Sequence, residues 1–383
     1  MLTDNYRITA SASLENAISL PFSVYRDQDV YTQEMERIFR NDWVFVCFEQ
    51  EIPDVGNYFA LELAGESIAI IRGNDGHIRA LSNNCRHRGT PLLDEGFGSI
   101  EKLIVCPYHA WAYDDKGALK GAPFSGTVKI EKEEHCLPEF LLGIHLGMVF
   151  VHLGDAVTPL ESRLSGLAEF AAVFQPERFD SASESTREIW QANWKLAMEN
   201  AMESYHLFKV HTKTLETVTP TKQSYYVAGS AEWTLTGGKM IDNSSAFSKW
   251  FRGDYPEAYE HYLLVSLPPN FVGIMTYDSF GWLSVNPTSF DQCEIRAGAI
   301  FSGGHGVEDS TAKEFTQAFF EEDKWICERV QRGMRSQNGS GGKLVEMERV
   351  VVDFHQYLAS RLFGEVGDGF FENPDDTVFK NYN

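Results

Sequence analysis

Between residues 42 and 153, short runs of alternating apolar and polar residues predict a set of paired β-strands. Residues 59–63 and 67–72 are two such runs, and the turn-forming residues 64–66 between them indicate that they pair as a hairpin. Glycine, aspartate and asparagine mark two further hairpin turns, at residues 74–76 and 114–117. This part of the chain is therefore predicted to be an all-β domain.

After residue 154 the pattern changes to helices mixed with longer strands. Apolar runs predict adjacent antiparallel strands at residues 271–277, 281–285 and 294–301. Helices are predicted at residues 33–40, 311–333 and 346–362. The helix before the all-β segment is expected to pack on the second domain.

The chain of 383 residues is long for one compact domain and suits two. Hydrophobic residues at 43% and charged residues at 23% are typical of an ordered globular protein. We therefore predict an α+β protein of three parts. These are an N-terminal helical segment (1–41), an all-β domain (42–155) and a C-terminal domain (156–383).

The net charge of −22 argues against nucleic-acid binding, which needs a basic surface. It makes a cationic substrate or partner more plausible than an anionic one. No apolar run approaches the roughly 20 residues that span a bilayer, and the N-terminus lacks a signal-peptide pattern, so no membrane partner is expected. Cys47, Cys136, Cys293 and Cys327 are isolated and predicted to be unpaired, which indicates a cytoplasmic protein.

Two short blocks pair a cysteine with a histidine: Cys85 with His87, and Cys106 with His109. The orders C-x-H and C-x-x-H, with histidine second in each block, depart from the usual order in zinc fingers. They are typical of a Rieske [2Fe–2S] centre, in which two thiolates hold one iron and two imidazoles hold the other. Such a cluster passes one electron at a time. A structural zinc site is the alternative interpretation of the same residues.

Further along the chain, His206 and His211 lie five residues apart, and Asp323 follows in an acidic segment. Two histidines and a carboxylate form the facial triad of non-haem Fe(II) oxygenases, which leaves positions open for O₂. Residues i and i+5 of a regular helix point about 140° apart, so an ideal helix cannot aim both histidines at one metal. We expect an irregularity around residues 207–210. Taken alone, two such histidines are more typical of a helix surface or a core.

With these motifs the chain resembles the large subunit of the Rieske non-haem iron oxygenases, also called ring-hydroxylating oxygenases, over nearly its whole length. The resemblance is carried by Cys85, His87, Cys106, His109, Asn193, Trp194, Lys195, Glu199, Asn200, Tyr205, His206, His211 and Asp323. It implies an N-terminal all-β Rieske domain and a catalytic domain with an antiparallel sheet covered by helices, in a helix-grip or START-like arrangement.

The resemblance also implies roles for individual residues. In the family the two histidines and the late aspartate bind a mononuclear Fe(II), and an acidic residue three positions before the first histidine bridges the two metal centres across a subunit boundary. By position that residue is Glu203, and Asn200 is expected close to the iron. Glutamate at the bridge resembles a branch that acts on quaternary ammonium compounds, such as carnitine and glycine betaine.

The mechanism that the resemblance implies uses O₂, a small organic substrate, and a separate reductase of flavin or ferredoxin type that draws electrons from NAD(P)H. A head-to-tail homotrimer without a β subunit is expected to bring the cluster of one subunit beside the iron of the next. A Rieske electron carrier without oxygen chemistry is the alternative class. The predicted site of His206, His211 and Asp323 argues against a pure carrier.

Residues 212–300 are expected to build the substrate pocket, with the polar stretch 242–254 as its cover. The family's usual chemistry favours mono- or dioxygenation of an aromatic or cyclic substrate, whereas Glu203 favours a quaternary ammonium compound held by cation–π attraction. Lys239, Lys249 or Arg252 in the pocket would instead indicate a carboxylate-bearing substrate. The aromatic candidates are Tyr225, Tyr226, Trp233, Phe247, Trp250, Phe251, Tyr255, Tyr259, Tyr262, Phe271, Tyr277, Phe280 and Trp282.

Overall fold

A computed structural model describes residues 2–155, 158–241, 257–302 and 310–379. The chain divides into two compact units. One is Phe39–Leu160, and the other combines Met1–Ile38 with Glu161–Asn383. Along the chain, the smaller unit is thus inserted into the larger one.

The smaller unit is built from antiparallel strands, which form one sheet in the order β1-β10-β9-β4-β3-β2-β5 and a second in the order β6-β7-β8. The predicted hairpin is confirmed, because Leu63 of β2 pairs with Glu66 of β3. Ala64 and Gly65 between them have φ of 47° and 78°, the left-handed values that a two-residue hairpin turn requires. The strands are β1 (Val44–Phe48), β2 (Asn57–Leu63), β3 (Glu66–Arg72), β4 (Ile78–Ser82), β5 (Gly96–Ser99), β6 (Ile104–Val105), β7 (Ala112–Tyr113), β8 (Leu119–Gly121), β9 (Glu139–His145) and β10 (Met148–His152).

The larger unit contains an antiparallel sheet in the order β11-β18-β17-β16-β15-β14-β13-β19, with β12 also paired to β18. The three predicted antiparallel strands are confirmed as β16, β17 and β18, which pair in succession. Both long strands extend beyond the predicted ends. The strands are β11 (Phe179–Ala182), β12 (Thr186–Trp190), β13 (Ser224–Gly229), β14 (Thr234–Lys239), β15 (His261–Leu267), β16 (Phe271–Met275), β17 (Ser279–Ser289), β18 (Gln292–Ser302) and β19 (Phe371–Glu372).

The helices in the described ranges lie mainly in the larger unit. The two predicted C-terminal helices are confirmed as α7 and α8, and α5 packs between them and strands β15 to β17. No helix in the described ranges is both long and apolar enough to cross a membrane. The helices are α1 (Leu2–Ala10), α2 (Gln28–Glu34), α3 (Leu160–Arg163), α4 (Leu167–Ala171), α5 (Trp194–Met202), α6 (Leu207–Val210), α7 (Ser310–Gly333) and α8 (Arg349–Phe363).

The helix predicted at residues 33–40 begins earlier than expected. Asp27 caps α2, because its carboxylate accepts hydrogen bonds from the N–H groups of Asp29 and Val30 at 2.9 and 3.0 Å. The helical path then continues through a π-helical turn, Met35–Phe39. The cap, and not the apolar pattern, therefore sets the start of this helix.

A fully buried ion pair ties the N-terminal segment to α5, as expected from its predicted packing on the second domain. The Lys195 ammonium lies 2.8 Å from a carboxylate oxygen of Glu34, and both side chains are completely buried. The indole N–H of Trp194 donates to Glu34 at 2.8 Å, and the Tyr6 hydroxyl donates to it at 3.2 Å. Removing either member of such a pair leaves a buried charge without a partner, which is strongly destabilising. The N-terminal segment is therefore an integral part of this unit.

A buried carboxyl on α8 is expected to make stability depend on pH. Burial raises the pKa of Asp353 to about 7, while Tyr226 and Thr234 each donate a hydrogen bond to it at 2.8 Å. The folded protein then keeps a proton that the unfolded chain loses above about pH 4, so stability falls as pH rises from about 4 to about 7. Between about pH 5 and pH 8 the free energy of unfolding should therefore fall in the wild type, and Asp353→Asn should reduce this fall by about 1–3 kcal/mol, as measured by urea unfolding. The same difference in unfolding free energy between the two pH values in wild type and variant would contradict this.

Candidate functional site

Helix α5 leads directly to the predicted iron ligands. Asn193 caps it by accepting a hydrogen bond from the Lys195 N–H at 3.0 Å, and the helix ends at Met202. Glu203 has extended backbone angles, φ −114° and ψ 160°, and a second short helix, α6, follows. The irregularity expected at residues 207–210 was wrong in position, because those residues form a regular turn. The break lies at Glu203, and His211 is already past the end of α6.

The three predicted iron ligands converge on one point. His211 Nε2 lies 2.9 Å from Asp323 Oδ1 and 3.1 Å from His206 Nε2, and His206 Nε2 lies 3.5 Å from Asp323 Oδ1. All three ligand atoms lie within 4.8 Å of one another, as one bound metal ion requires. His211 is fully buried, and His206 and Asp323 are nearly so. Two imidazoles and one carboxylate fit the facial geometry of a non-haem Fe(II) site.

The electrostatics of this cluster favour a positive charge at its centre. Burial opposes protonation of His206, but hydrogen bonds with Asp323 and Glu203 raise its pKa to about 10. The pKa of His211 is raised in the same way, against burial, by Asp323. Burial raises the pKa of Asp323, yet its hydrogen bonds with both rings lower it to about 2. A site that holds a proton this firmly is also suited to a divalent cation.

Each ligand is held from behind by a further polar group. Glu203 Oε1 lies 2.6 Å from His206 Nδ1, and the Asn200 amide donates to Asp323 Oδ1 at 2.7 Å. Glu203 and Asn200 therefore both reach the ligand cluster, as expected. Glu322, which sequence reasoning did not single out, lies 2.8 Å from His211 Nδ1. The acidic pair Glu322 and Asp323 was visible in the sequence, but nothing there showed which histidine Glu322 would meet.

An aromatic wall also comes from outside the predicted pocket region. The Phe319 ring lies 6.3 Å from the His211 ring, edge to face, and stacks on Phe320 with 4.7 Å between centroids. Phe319 precedes Asp323 by four residues, so the two share one face of α7. Phe319 therefore adds an aromatic side chain beside His211 from outside residues 212–300, where the substrate pocket is expected. The helical spacing from Asp323 was the signal that could have found Phe319.

The loops that carry the Cys-His blocks differ in kind. The second joins β6 and β7, which pair, so Cys106 and His109 lie at a hairpin tip as predicted. The first joins β4 to β5, which are not neighbours in the sheet. Cys85 and His87 nevertheless lie at the tip of a short local hairpin, as predicted, because Asn84 and Pro91 form an antiparallel bridge below them.

The four predicted cluster ligands lie together at these loops. Cys85 and Cys106 are each 2% exposed, and the ring centroids of His87 and His109 are 4.7 Å apart. The His109 Nδ1 atom is buried and has no hydrogen-bond partner in the described ranges. Because a buried, unpaired nitrogen is costly, this atom is well placed as a metal ligand. The donor set therefore fits a Rieske cluster.

Surrounding groups favour thiolates at this position. Burial opposes ionisation of Cys106, but the backbone N–H groups of His109 and Tyr108 hold the pKa of its thiol below the usual value. The Tyr113 hydroxyl lies 3.4 Å from Cys85 Sγ. Hydrogen bonds to the sulfurs are among the features that set the potential of an iron–sulfur cluster.

The spacing of these ligands argues against the zinc interpretation. Within the described ranges, three His, Cys, Asp or Glu ligand atoms gather within 4.8 Å only at His206, His211 and Asp323. The four Cys-His donors are therefore too widely spread for one zinc ion, which draws its ligands into a tetrahedron. A cluster with two irons separates its ligand pairs and suits the wider spacing.

A cavity of about 300 Å³ in the larger unit is lined in part by Ser204, the residue after Glu203, but none of the three predicted iron ligands lines it. Tyr226 belongs to its wall, and the Arg349 guanidinium lies 4.7 Å from the Tyr226 ring centroid. Lys239 does not enter this cavity and pairs with Glu260 at 2.9 Å. Lys249, Arg252 and the whole of the expected cover at 242–254 lie outside the described residues. The aromatic cage thus stays a prediction.

Comparison with known proteins gives the class. Residues 42–132 match the model of the Rieske [2Fe–2S] domain, and residues 176–364 match that of the ring hydroxylating alpha subunit, catalytic domain. These matches fall on the two units that carry the two candidate metal sites. The chain belongs to the Rieske non-haem iron oxygenases, a class of oxidoreductases that carry a Rieske cluster and a mononuclear iron.

Its relatives include enzymes named for quaternary ammonium substrates. The glycine betaine monooxygenase oxygenase subunit of Chromohalobacter salexigens is 36% identical over 200 residues, which are 52% of this chain and only 44% of that protein. The carnitine monooxygenase oxygenase subunit of Escherichia coli is 28% identical over 366 residues, which are 91% of this chain and 95% of that protein. A solved quaternary ammonium Rieske monooxygenase has a TM-score of 0.81 at 22% identity, covering 94% of this chain and 98% of the other. That likeness confirms the predicted fold.

Proposed function

We propose that the chain is the terminal oxygenase of a multicomponent Rieske system. His206, His211 and Asp323 would hold one Fe(II), and Cys85, His87, Cys106 and His109 would hold the [2Fe–2S] cluster. The convergence of the three ligand atoms within 4.8 Å carries this proposal, because a pure electron carrier has no use for such a site. The six cysteines are all free, which supports a reducing cytoplasmic location.

When bound, the mononuclear iron supplies the activation of O₂ for insertion of oxygen into a substrate, with electrons that reach it through the cluster. The residues of the chain orient this chemistry. Glu203 and Glu322 fix the two imidazole rings from their far sides, and Asn200 fixes the Asp323 carboxylate. Phe319 contacts the His211 ring edge to face.

Glu203 would also connect the two metal centres of neighbouring subunits. Its carboxylate holds His206, and the solved quaternary ammonium monooxygenase is described with inter-subunit electron transfer. We accordingly propose a head-to-tail homotrimer in which His109 of one subunit approaches Glu203 of the next. A flavin- or ferredoxin-type reductase, fed by NAD(P)H, would reduce the cluster.

For the substrate, we propose a small quaternary ammonium compound, hydroxylated or demethylated by monooxygenation. The near full-length match to a carnitine monooxygenase oxygenase subunit supports this class. Glutamate at position 203 and the net charge of −22 are consistent with a cationic substrate.

An aromatic or cyclic substrate, oxidised by a mono- or dioxygenase reaction, is the second candidate. The edge-to-face contact of Phe319 with His211 and the stacking of Phe319 on Phe320 favour it, because they place an apolar wall beside the iron ligands. Such a wall can pack against a flat ring without any charge.

A matched substrate panel separates these candidates. Carnitine and glycine betaine would be compared with their tert-butyl analogues, in which a neutral carbon replaces the ammonium nitrogen, and with salicylate and naphthalene. Each compound would be scored by O₂ consumption, product mass and NADH oxidised through a surrogate reductase. Turnover of the trimethylammonium compounds alone supports the first candidate. Turnover of the flat rings alone supports the second, and coupled product formation from neither group would contradict both.

The metal content gives a direct test of the two sites. Protein purified without O₂ should be red-brown and contain about three irons per chain, two in the cluster and one mononuclear. Cys106→Ser should remove the colour and about two of the irons, whereas Cys136→Ser, which changes a half-buried cysteine of the same unit, should leave both unchanged. A colourless native protein with stoichiometric zinc would overturn the proposal.

A further inference from the structure

Glu322 makes a pair of contacts whose geometry points to a role at the iron site. Its Oε2 atom lies 2.8 Å from His211 Nδ1 and accepts a hydrogen bond from the Thr214 hydroxyl at 2.6 Å. His211 is fully buried and Thr214 is 6% exposed, whereas the Glu322 side chain keeps 32% of its exposure. One oxygen of one carboxylate is thus held between a hydroxyl and a ligand ring.

These contacts determine which nitrogen of His211 is available to a metal. When a metal takes the place of the proton that Nε2 shares with Asp323, the Glu322 oxygen at 2.8 Å keeps the other ring proton on Nδ1 and leaves the Nε2 lone pair to the metal. Nε2 is the atom that lies 2.9 Å from Asp323 Oδ1 and 3.1 Å from His206 Nε2. The ring therefore presents its free lone pair to the point where the other two ligand atoms meet.

The local chain geometry explains why Thr214 takes part. The Thr214 and Glu216 N–H groups both donate to the His211 carbonyl at 3.1 Å, so the chain turns tightly after His211. This turn brings the Thr214 hydroxyl beside the ring. Glu322 and Asp323 are successive residues of α7 and point about 100° apart, so one can face the ion while the other reaches the far side of the ring.

We propose that Glu322 is a positioning residue, which with Thr214 fixes the tautomer and orientation of His211 for metal binding. This inference rests on the proposed function, because it assumes that His206, His211 and Asp323 hold the iron. Glu203 makes the equivalent contact with His206, so each ligand imidazole has its own carboxylate. Such partners raise the basicity of the ligand, and their loss typically weakens metal binding by about 10- to 100-fold.

The test measures metal affinity and not turnover. Holoenzyme with its Rieske cluster intact is dialysed against a chelator until the mononuclear iron is lost, and is then titrated with Fe(II), or with Co(II) for its visible bands. Glu322→Ala removes the acceptor, Glu322→Gln keeps an oxygen without the charge, and Thr214→Val removes only the hydroxyl. Glu321→Ala and Glu321→Gln are the controls, since Glu321 is exposed and accepts a hydrogen bond from Gln317 on the same helix. Cluster absorbance shows that each variant is folded.

We expect Glu322→Ala to bind the metal about 10- to 100-fold more weakly than the wild type. Glu322→Gln and Thr214→Val should lose less affinity, and the Glu321 variants should lose none. Equal affinity of Glu322→Ala and wild type would overturn the role of Glu322. Equal losses in the Glu321 and Glu322 variants would overturn it as well, because the effect would then come from helix charge. Two results would instead contradict the proposed iron site itself. One is that the wild-type protein binds no Fe(II), and the other is that Asp323→Ala binds Fe(II) as well as the wild type does.

Discussion

Asp323→Ala is expected to remove the mononuclear iron and abolish turnover, while the visible spectrum of the Rieske cluster persists. Asp323 is the single carboxylate of the convergent set, and its Oδ1 atom lies 2.9 Å from His211 Nε2. The substitution leaves two neutral imidazoles, which bind Fe(II) weakly. Turnover should fall by more than the roughly 100-fold that loss of an outer hydrogen-bond partner costs.

Iron analysis, cluster absorbance and coupled product formation would be measured on the same samples. Iron should drop from about three to about two per chain. Glu321→Ala removes an exposed carboxylate from the same helix and should behave as wild type. Retention of the third iron in Asp323→Ala would show that another residue supplies the anionic ligand, and loss of the cluster would show general damage to the fold.

Glu203→Gln is expected to keep both metal centres and to lose nearly all turnover, on the order of a hundredfold. The Glu203 carboxylate accepts backbone hydrogen bonds from Tyr205 and His206 and also lies 2.6 Å from His206 Nδ1. Glutamine keeps one oxygen, which can still accept from His206 Nδ1 as Glu203 Oε1 does, so the iron ligand should survive. It lacks the charge and the second acceptor that a bridge between His206 and the neighbouring cluster needs.

Single-turnover kinetics test this directly. The cluster is reduced chemically, substrate and O₂ are added, and its reoxidation is followed by absorbance. Reoxidation should be slow in Glu203→Gln and normal in Glu260→Gln, which removes a half-exposed charge from the same unit. Wild-type reoxidation and turnover in Glu203→Gln would rule out its role as the bridge, whereas loss of iron would assign it to ligand support instead.

The strands and the ligand sets could be predicted from the sequence because their signals are local. Alternation and turn residues determine the β2–β3 hairpin, and the Cys-His spacing belongs to two short loops. The break after α5 could not be predicted in position. There the Glu203 carboxylate replaces helical hydrogen bonds by accepting from the N–H groups of Tyr205 and His206. Glutamate is not a common capping residue, so its local competition with the helix gave no clear signal.

The groups behind the ligands depend on contacts between distant parts of the chain. His211 and Glu322 are 111 positions apart, and only the packing of α7 against α6 brings them together. Phe319 reaches the same ring by the same packing. A sequence shows that such residues exist, but side-chain partners across elements follow from tertiary structure.

The larger unit is made of two stretches of chain that the smaller unit separates, and this has a consequence for synthesis on the ribosome. The ribosome adds Lys195, the partner of the Glu34 carboxylate, 161 residues after Glu34, and until then the charge of Glu34 has no ammonium partner. At about 5–20 residues per second this wait lasts roughly 8–30 s. During that time all of Phe39–Leu160 emerges, so its contacts can form first. The order of maturation is therefore expected to be reversed relative to the chain: the inserted unit folds early, and the unit that begins at the N-terminus is completed last.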